Sequence, residues 1–258
     1  MNTDIFLNLL QMIVLMSGFV GAIRLIHPED RPIRLILFAF AAASVLLSNL
    51  YWLAYDILRP GTRMPFAANE IAEWAVFLLL GAALKVKQVE RTARCVMTGA
   101  ALFAAASAGL WIAWSGEWVE DILTGVSYGY FICCLTAQMK QEDAFSCREW
   151  RLLGIAGLVL IAAQTATFFV PVPAKQILDL FCYILMFTAA LLFILKSVFS
   201  FREDVRPAKT VCSAFAAFAW AVTVVYMSAG AWYIAALLLS MICYPLMLSA
   251  LKREVEAV

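Results

Sequence analysis

The chain has 258 residues, 64% of them hydrophobic and 14% charged, with a mean hydropathy of +0.88 and a formal net charge of +1. A soluble domain is about 45–50% apolar and about 25% charged, so a water-soluble globule is excluded. Disorder requires low hydrophobicity, and near-neutral charge offers no field for nucleic acid, so both of those classes fall away too. What remains is an all-α, polytopic integral membrane helical bundle.

A membrane-crossing helix needs roughly 20 mainly apolar residues. In chain order, nine stretches meet that length: 5–26, 33–57, 67–86, 95–115, 121–139, 150–170, 175–199, 210–228 and 231–251. The intervening connections are short and polar, leaving a single transmembrane domain over 1–258. The eighth and ninth spans are separated only by a turn around Ser228, Gly230 and Ala231, so they read either as two crossings or as one bent, re-entrant unit.

Orientation follows from Lys and Arg, which cytoplasmic loops retain. With the N-terminus outside, the inner ends hold Arg24, Arg31 and Arg34; Lys85, Lys87, Arg91 and Arg94; and Lys140, Arg148 and Arg151. They also hold Lys196, Arg202, Arg206 and Lys209, then Lys252 and Arg253. Only Arg59, Arg63 and Lys175, of 19 basic residues, fall outside. This alternation favours nine helices, N-out and C-in, in a cell membrane. The first span lacks a basic residue before its apolar run and carries Arg24 after it, the reverse of a secretory leader's charge order. It is expected to remain as an uncleaved helix.

Short stretches recur. Arg31-Pro32-Ile33-Arg34 opens the second span and Arg148-Glu149-Trp150-Arg151 the sixth, while Asp4-Ile5 and Asp121-Ile122 stand at the same offset of 117 residues. A third pair, Glu70-Ile71-Ala72-Glu73 and Gln176-Ile177-Leu178-Asp179, is offset by 106. The pattern suggests a 4+4 tandem repeat, units 4–115 and 121–228, plus a ninth helix at 231–251. Units of four helices share one membrane orientation, as in some transporters. The competing reading is that any apolar helices with basic inner ends look alike.

Ionisable residues inside a membrane are costly and usually face the bundle interior. Polar residues here concentrate in the outer half: Asn49, Tyr55 and Asp56 on the second span, Asn69, Glu70 and Glu73 on the third, Asp179 and Tyr183 on the seventh. Glu73 lies roughly 9 Å inside the start of its helix, and Glu70 is one turn earlier on the same side, so the two carboxylates can share one cation or proton. Asn49, Trp52 and Asp56 fall at i, i+3 and i+7, as do Gln176, Asp179 and Tyr183, each set forming a stripe. If both stripes face the third span, Asp56, Glu70, Glu73 and Asp179 form an acidic ring beside Asn49, Asn69, Tyr55 and Tyr183. The opposing reading makes these acids ordinary helix ends suited to the macrodipole, with Glu73 paired to Arg59 or Arg63.

Other motifs carry less. His27 is the only histidine and builds neither a histidine-based metal site nor a Ser/His triad. The seven cysteines avoid exterior loops, where disulfides form, and read as small packing residues. Gly125 and Gly129 form a G-x-x-x-G suited to close helix approach, outer tryptophans form an interfacial belt, and Pro245 can kink the ninth span. No phosphate loop, zinc motif or nucleophile elbow is present.

The sequence therefore predicts a non-enzymatic membrane protein with no cofactor, no metal and no catalytic residue. Its outward acidic and polar cavity would bind a cation, amine or small polar solute, as a sensor or solute-binding component. The alternatives are a small proton-coupled secondary transporter and a non-catalytic assembly or anchoring subunit. Its partners would be the lipid bilayer and a protein reached through the cytoplasmic loops or the C-terminal helix end.

Overall fold

The computed structural model describes residues 3–26, 32–59, 68–86, 98, 101–102, 105, 118–167, 169–202, 205–228 and 230–257. Among these residues there are eight helices and no strand: α1 Thr3–Leu25, α2 Ile33–Leu58, α3 Ala68–Lys85, α4 Trp118–Gln141, α5 Cys147–Ala166, α6 Val172–Arg202, α7 Pro207–Met227 and α8 Ala231–Glu256. Each corresponds to one expected span. The expected span at 95–115 lies outside the described residues, except that Thr98, Ala101, Leu102 and Ala105 are helical. Six helices, α1, α2, α4, α6, α7 and α8, are long and apolar enough to cross a membrane. The other two carry charge within their length: Glu70, Glu73 and Lys85 on α3, and Arg148, Glu149 and Arg151 on α5.

Local chemistry sets several helix ends. Pro32 stands just before α2 in an extended conformation, and Pro207 occupies the first turn of α7, where a missing N–H leaves no helical bond unmade. Between α7 and α8 the chain reverses through Gly230 at φ +59°, a left-handed conformation that a side chain would strain. The last two spans are thus separate helices.

The chain forms two compact units, Met1–Gln138 with Leu251–Val258, and Met139–Ala250. In the first, α2 packs against both α1 and α3. Helices α3 and α4 meet closely: the Trp74 indole N–H donates to Thr124 Oγ1 at 2.9 Å, and Phe77 meets Tyr128 edge-on at 5.1 Å. One turn on, a Cβ at Gly81 would lie 2.6 Å from the Tyr130 ring and 3.3 Å from the Phe131 Cα. Glycine is what permits that approach. Gly125 and Gly129 are also buried.

In the second unit, α6 packs against α5 and α7. A core of Leu160, Cys182, Met186, Ala190, Val224 and Ala236 draws on four helices. Helix α7 is buried from Thr210 through Ala219, which fits a helix apolar on all sides. Its alanines and serine also allow neighbouring backbones to come near.

Candidate functional site

The residues of the expected acidic ring divide between the two units. Asn49, Tyr55, Glu70 and Glu73 belong to the first, on the packed pair α2 and α3. Asp179 and Tyr183 belong to the second, one turn apart on α6. The side chains of Asp56 and Asn69 lie outside the described residues. Glu70, Glu73, Tyr55, Asp179 and Tyr183 are all half-buried. Trp52 is 39% exposed and Gln176 is exposed, so neither stripe is uniformly enclosed. Tyr183 rests against Trp232 with ring centroids 5.9 Å apart.

Asn49 is the most informative polar side chain on α2. It is 6% exposed, and its Nδ2 amide has no hydrogen-bond partner among the described residues. Native proteins pair nearly all such groups, and a buried amide donor left unmade costs about 1–3 kcal/mol.

Sequence reasoning missed a second polar centre. Arg34, in the first turn of α2, is 6% exposed and meets Glu254 near the end of α8, itself 7% exposed. Its Nη1 donates to Glu254 Oε1 at 2.8 Å and Oε2 at 2.9 Å. Its Nε donates to the Ala83 carbonyl at 2.8 Å, and Nη2 to that of Leu84 at 3.3 Å. Those carbonyls belong to the last turn of α3, which has no intrahelical donors to use. The guanidinium thus caps α3, complements its dipole and holds a carboxylate from a third helix. Three helix ends assigned to one membrane face by their basic residues meet at this arginine.

A third centre lies within the second unit. Ser146 and Glu149 form a capping box at the start of α5. The Ser146 N–H and hydroxyl donate to Glu149 Oε2 at 2.7 and 2.9 Å, and the Glu149 N–H donates to Ser146 Oγ at 3.3 Å. Glu149 Oε1 accepts from Lys196 Nζ of α6, and that ammonium sits 3.6 Å from the centroid of the Phe145 ring. Partial burial pushes the Glu149 carboxyl upward, but the hydrogen bonds from Lys196 and Ser146 together with the Lys196 charge outweigh it, and the net shift is downward. The S-x-x-E spacing was the available sequence signal for the box. Nothing local foretold its link to Lys196. Among the described residues no cluster of three His, Cys, Asp or Glu side chains is placed to hold a metal.

The fold is that of a multi-pass helical membrane protein, with six crossing-length helices and polar centres at helix ends. No family model, curated protein or solved structure matches the chain.

Proposed function

We propose that this chain is a ligand-binding membrane protein whose α2–α3 pair lines an outward-facing acidic and polar cavity for a cation, an amine or a small polar solute. It acts as a sensor or as the solute-binding component of a membrane complex. The observation that carries this reading is the buried Asn49 amide, without an acceptor among the described residues, on a helix packed against the one bearing half-buried Glu70 and Glu73. Two carboxylates supply charge for a cation or ammonium group, and an amide donor supplies orientation for a ligand oxygen. The outward aspect rests on the distribution of Lys and Arg.

A proton-coupled transporter is the second reading, supported by the 4+4 tandem repeat that the sequence suggests, an arrangement found in some transporters. Purified protein in proteoliposomes separates the two. Methylammonium and sodium binding without flux under a pH gradient marks a sensor or binding component, whereas proton-coupled uptake marks a transporter. Glu73→Gln is expected to abolish either response while leaving expression intact. Unchanged binding in a folded Glu73→Gln protein overturns the proposal. A fixed co-purifying protein with no ligand response would make the chain an assembly subunit instead.

A further inference from the structure

The second unit contains a groove of about 720 Å³ between α5, α6 and α7. This lies within the range of roughly 300–1,000 Å³ typical of small-molecule sites, but its form is unlike a site for a water-soluble ligand. Its walls are apolar, built from side chains such as Leu153, Ala156, Leu185 and Ala189. Its flank is formed by Leu152, Leu192 and Phe199, which are 57%, 60% and 52% exposed, so the groove opens sideways. Apart from Thr188 along the trough, polar chemistry is concentrated at the end where α5 and α7 begin and α6 ends, with Lys196, Lys209, Ser200, Ser213 and the Lys196-paired Glu149 on the lining.

The spacing along α6 sets a length. Leu185 and Lys196 are 11 residues apart, about 16 Å at a helical rise of about 1.5 Å. One leaflet of a bilayer has a hydrocarbon depth of about 15 Å, half of about 30 Å. The apolar trough is therefore about as long as one leaflet's hydrocarbon is deep.

The mouth also has a defined hydrogen-bonding character. One N–H of Lys196 serves Glu149, leaving two of its three donors. Lys209 has no acidic partner among the described residues, and Arg206, the exposed N-cap residue of α7, lies just outside the lining. These groups suit a phosphate. The Ser213 hydroxyl donates to the Lys209 carbonyl at 3.0 Å, so its remaining capacity is as an acceptor, which suits a hydroxyl group on the same headgroup. Basic pockets between membrane helices on the cytoplasmic side take anionic headgroups by the same electrostatics.

From this geometry we infer that the α5–α6–α7 groove is a binding site for one anionic, hydroxyl-bearing phospholipid of the inner leaflet. One acyl chain lies along Leu153, Ala156, Leu185 and Ala189, and the phosphate rests on Lys209, Arg206 and the free donors of Lys196. The inference is independent of the α2–α3 cavity.

Native mass spectrometry of the purified chain, titrated with phosphatidylglycerol or with phosphatidylcholine of the same chain length, tests it. The expected result is one phosphatidylglycerol held at least tenfold more tightly than phosphatidylcholine. Lys209→Glu combined with Arg206→Glu should erase that preference, and Ala189→Trp, which fills the trough, should weaken both lipids at least tenfold. Should Ala189→Trp fail to fold, the charge reversal at the mouth carries the test. Equal retention of the two lipids overturns the inference, as does unaltered preference in the charge-reversed protein. Displacement of phosphatidylglycerol by inorganic phosphate alone also overturns it, because the acyl trough would then contribute nothing.

Discussion

Removing the Glu254 carboxylate perturbs the Arg34 centre, where one guanidinium makes four hydrogen bonds among the described residues. Glu254→Ala leaves the Arg34 guanidinium 6% exposed, with two carbonyl acceptors but no counter-charge. Two charge-assisted hydrogen bonds disappear, at 2.8 and 2.9 Å, each of a kind worth about 1.5–3 kcal/mol. Breaking one side of a buried pair typically costs about 3–5 kcal/mol. The two carbonyls still satisfy part of the arginine, which favours the lower end, about 3 kcal/mol. That corresponds to roughly a 150-fold change in the folding constant. At about 2–4 °C per kcal/mol for a chain of this size, the melting temperature in micelles should fall by about 6–12 °C. Glu254→Gln, which keeps an acceptor, should fall between the two proteins. Arg34→Met with Glu254→Leu should recover most of the loss, because apolar replacement of both partners removes the orphaned charge. Glu256→Ala is the control: its contact with Lys252 is at 3.5 Å and more than half exposed, a surface pair worth under about 1 kcal/mol. A Glu254→Ala protein melting within about 1 °C of the parent would refute the reasoning.

Three further outcomes follow from the same geometry. Ser146→Ala removes the cap of α5 and should cost about 1 kcal/mol, read from thermal melts. Because Glu149 is shifted downward when folded, its contribution is present above the ordinary carboxylate range and fades as pH falls through the lowered value. Lys196→Met should therefore flatten the acid side of the stability–pH profile, and a parallel profile would contradict the Lys196–Glu149 link. At the α3–α4 contact, Gly81→Leu drives atoms into the Tyr130 ring and the Phe131 backbone and should destabilise by about 1–3 kcal/mol. Tyr130→Ala in the same chain should recover part of that loss, and no recovery would place the strain elsewhere.

What could be read from the linear chain follows from the range of the forces involved. Apolar runs are legible because bilayer thickness sets their length, and α1 to α8 each fall on an expected span. The turn around Ser228, Gly230 and Ala231 was legible, but that it separates α7 from α8 rests on Gly230 at φ +59°, which hydropathy alone does not register. The Ser146–Glu149 box has a four-residue signature and was within reach. Arg34 and Glu254 stand 220 residues apart, and no periodicity marks such a pair. Each looked like one more charge at a helix end until packing brought them together. On α2 the opposite happened: Asn49 drew notice for its polarity, and burial of its amide adds a reason that sequence could not supply. The close α3–α4 approach at Gly81 was equally hidden, since the evident G-x-x-x-G lies on the partner helix.

The α2–α3 cavity is tested most directly by the accessibility of position 73. In a Cys147→Ser background, Glu73→Cys should react with a membrane-impermeant maleimide added outside intact cells, and methylammonium should slow that reaction. Reaction only from the cytoplasmic side, or none where Arg59→Cys reacts readily, would contradict an outward-facing acidic cavity.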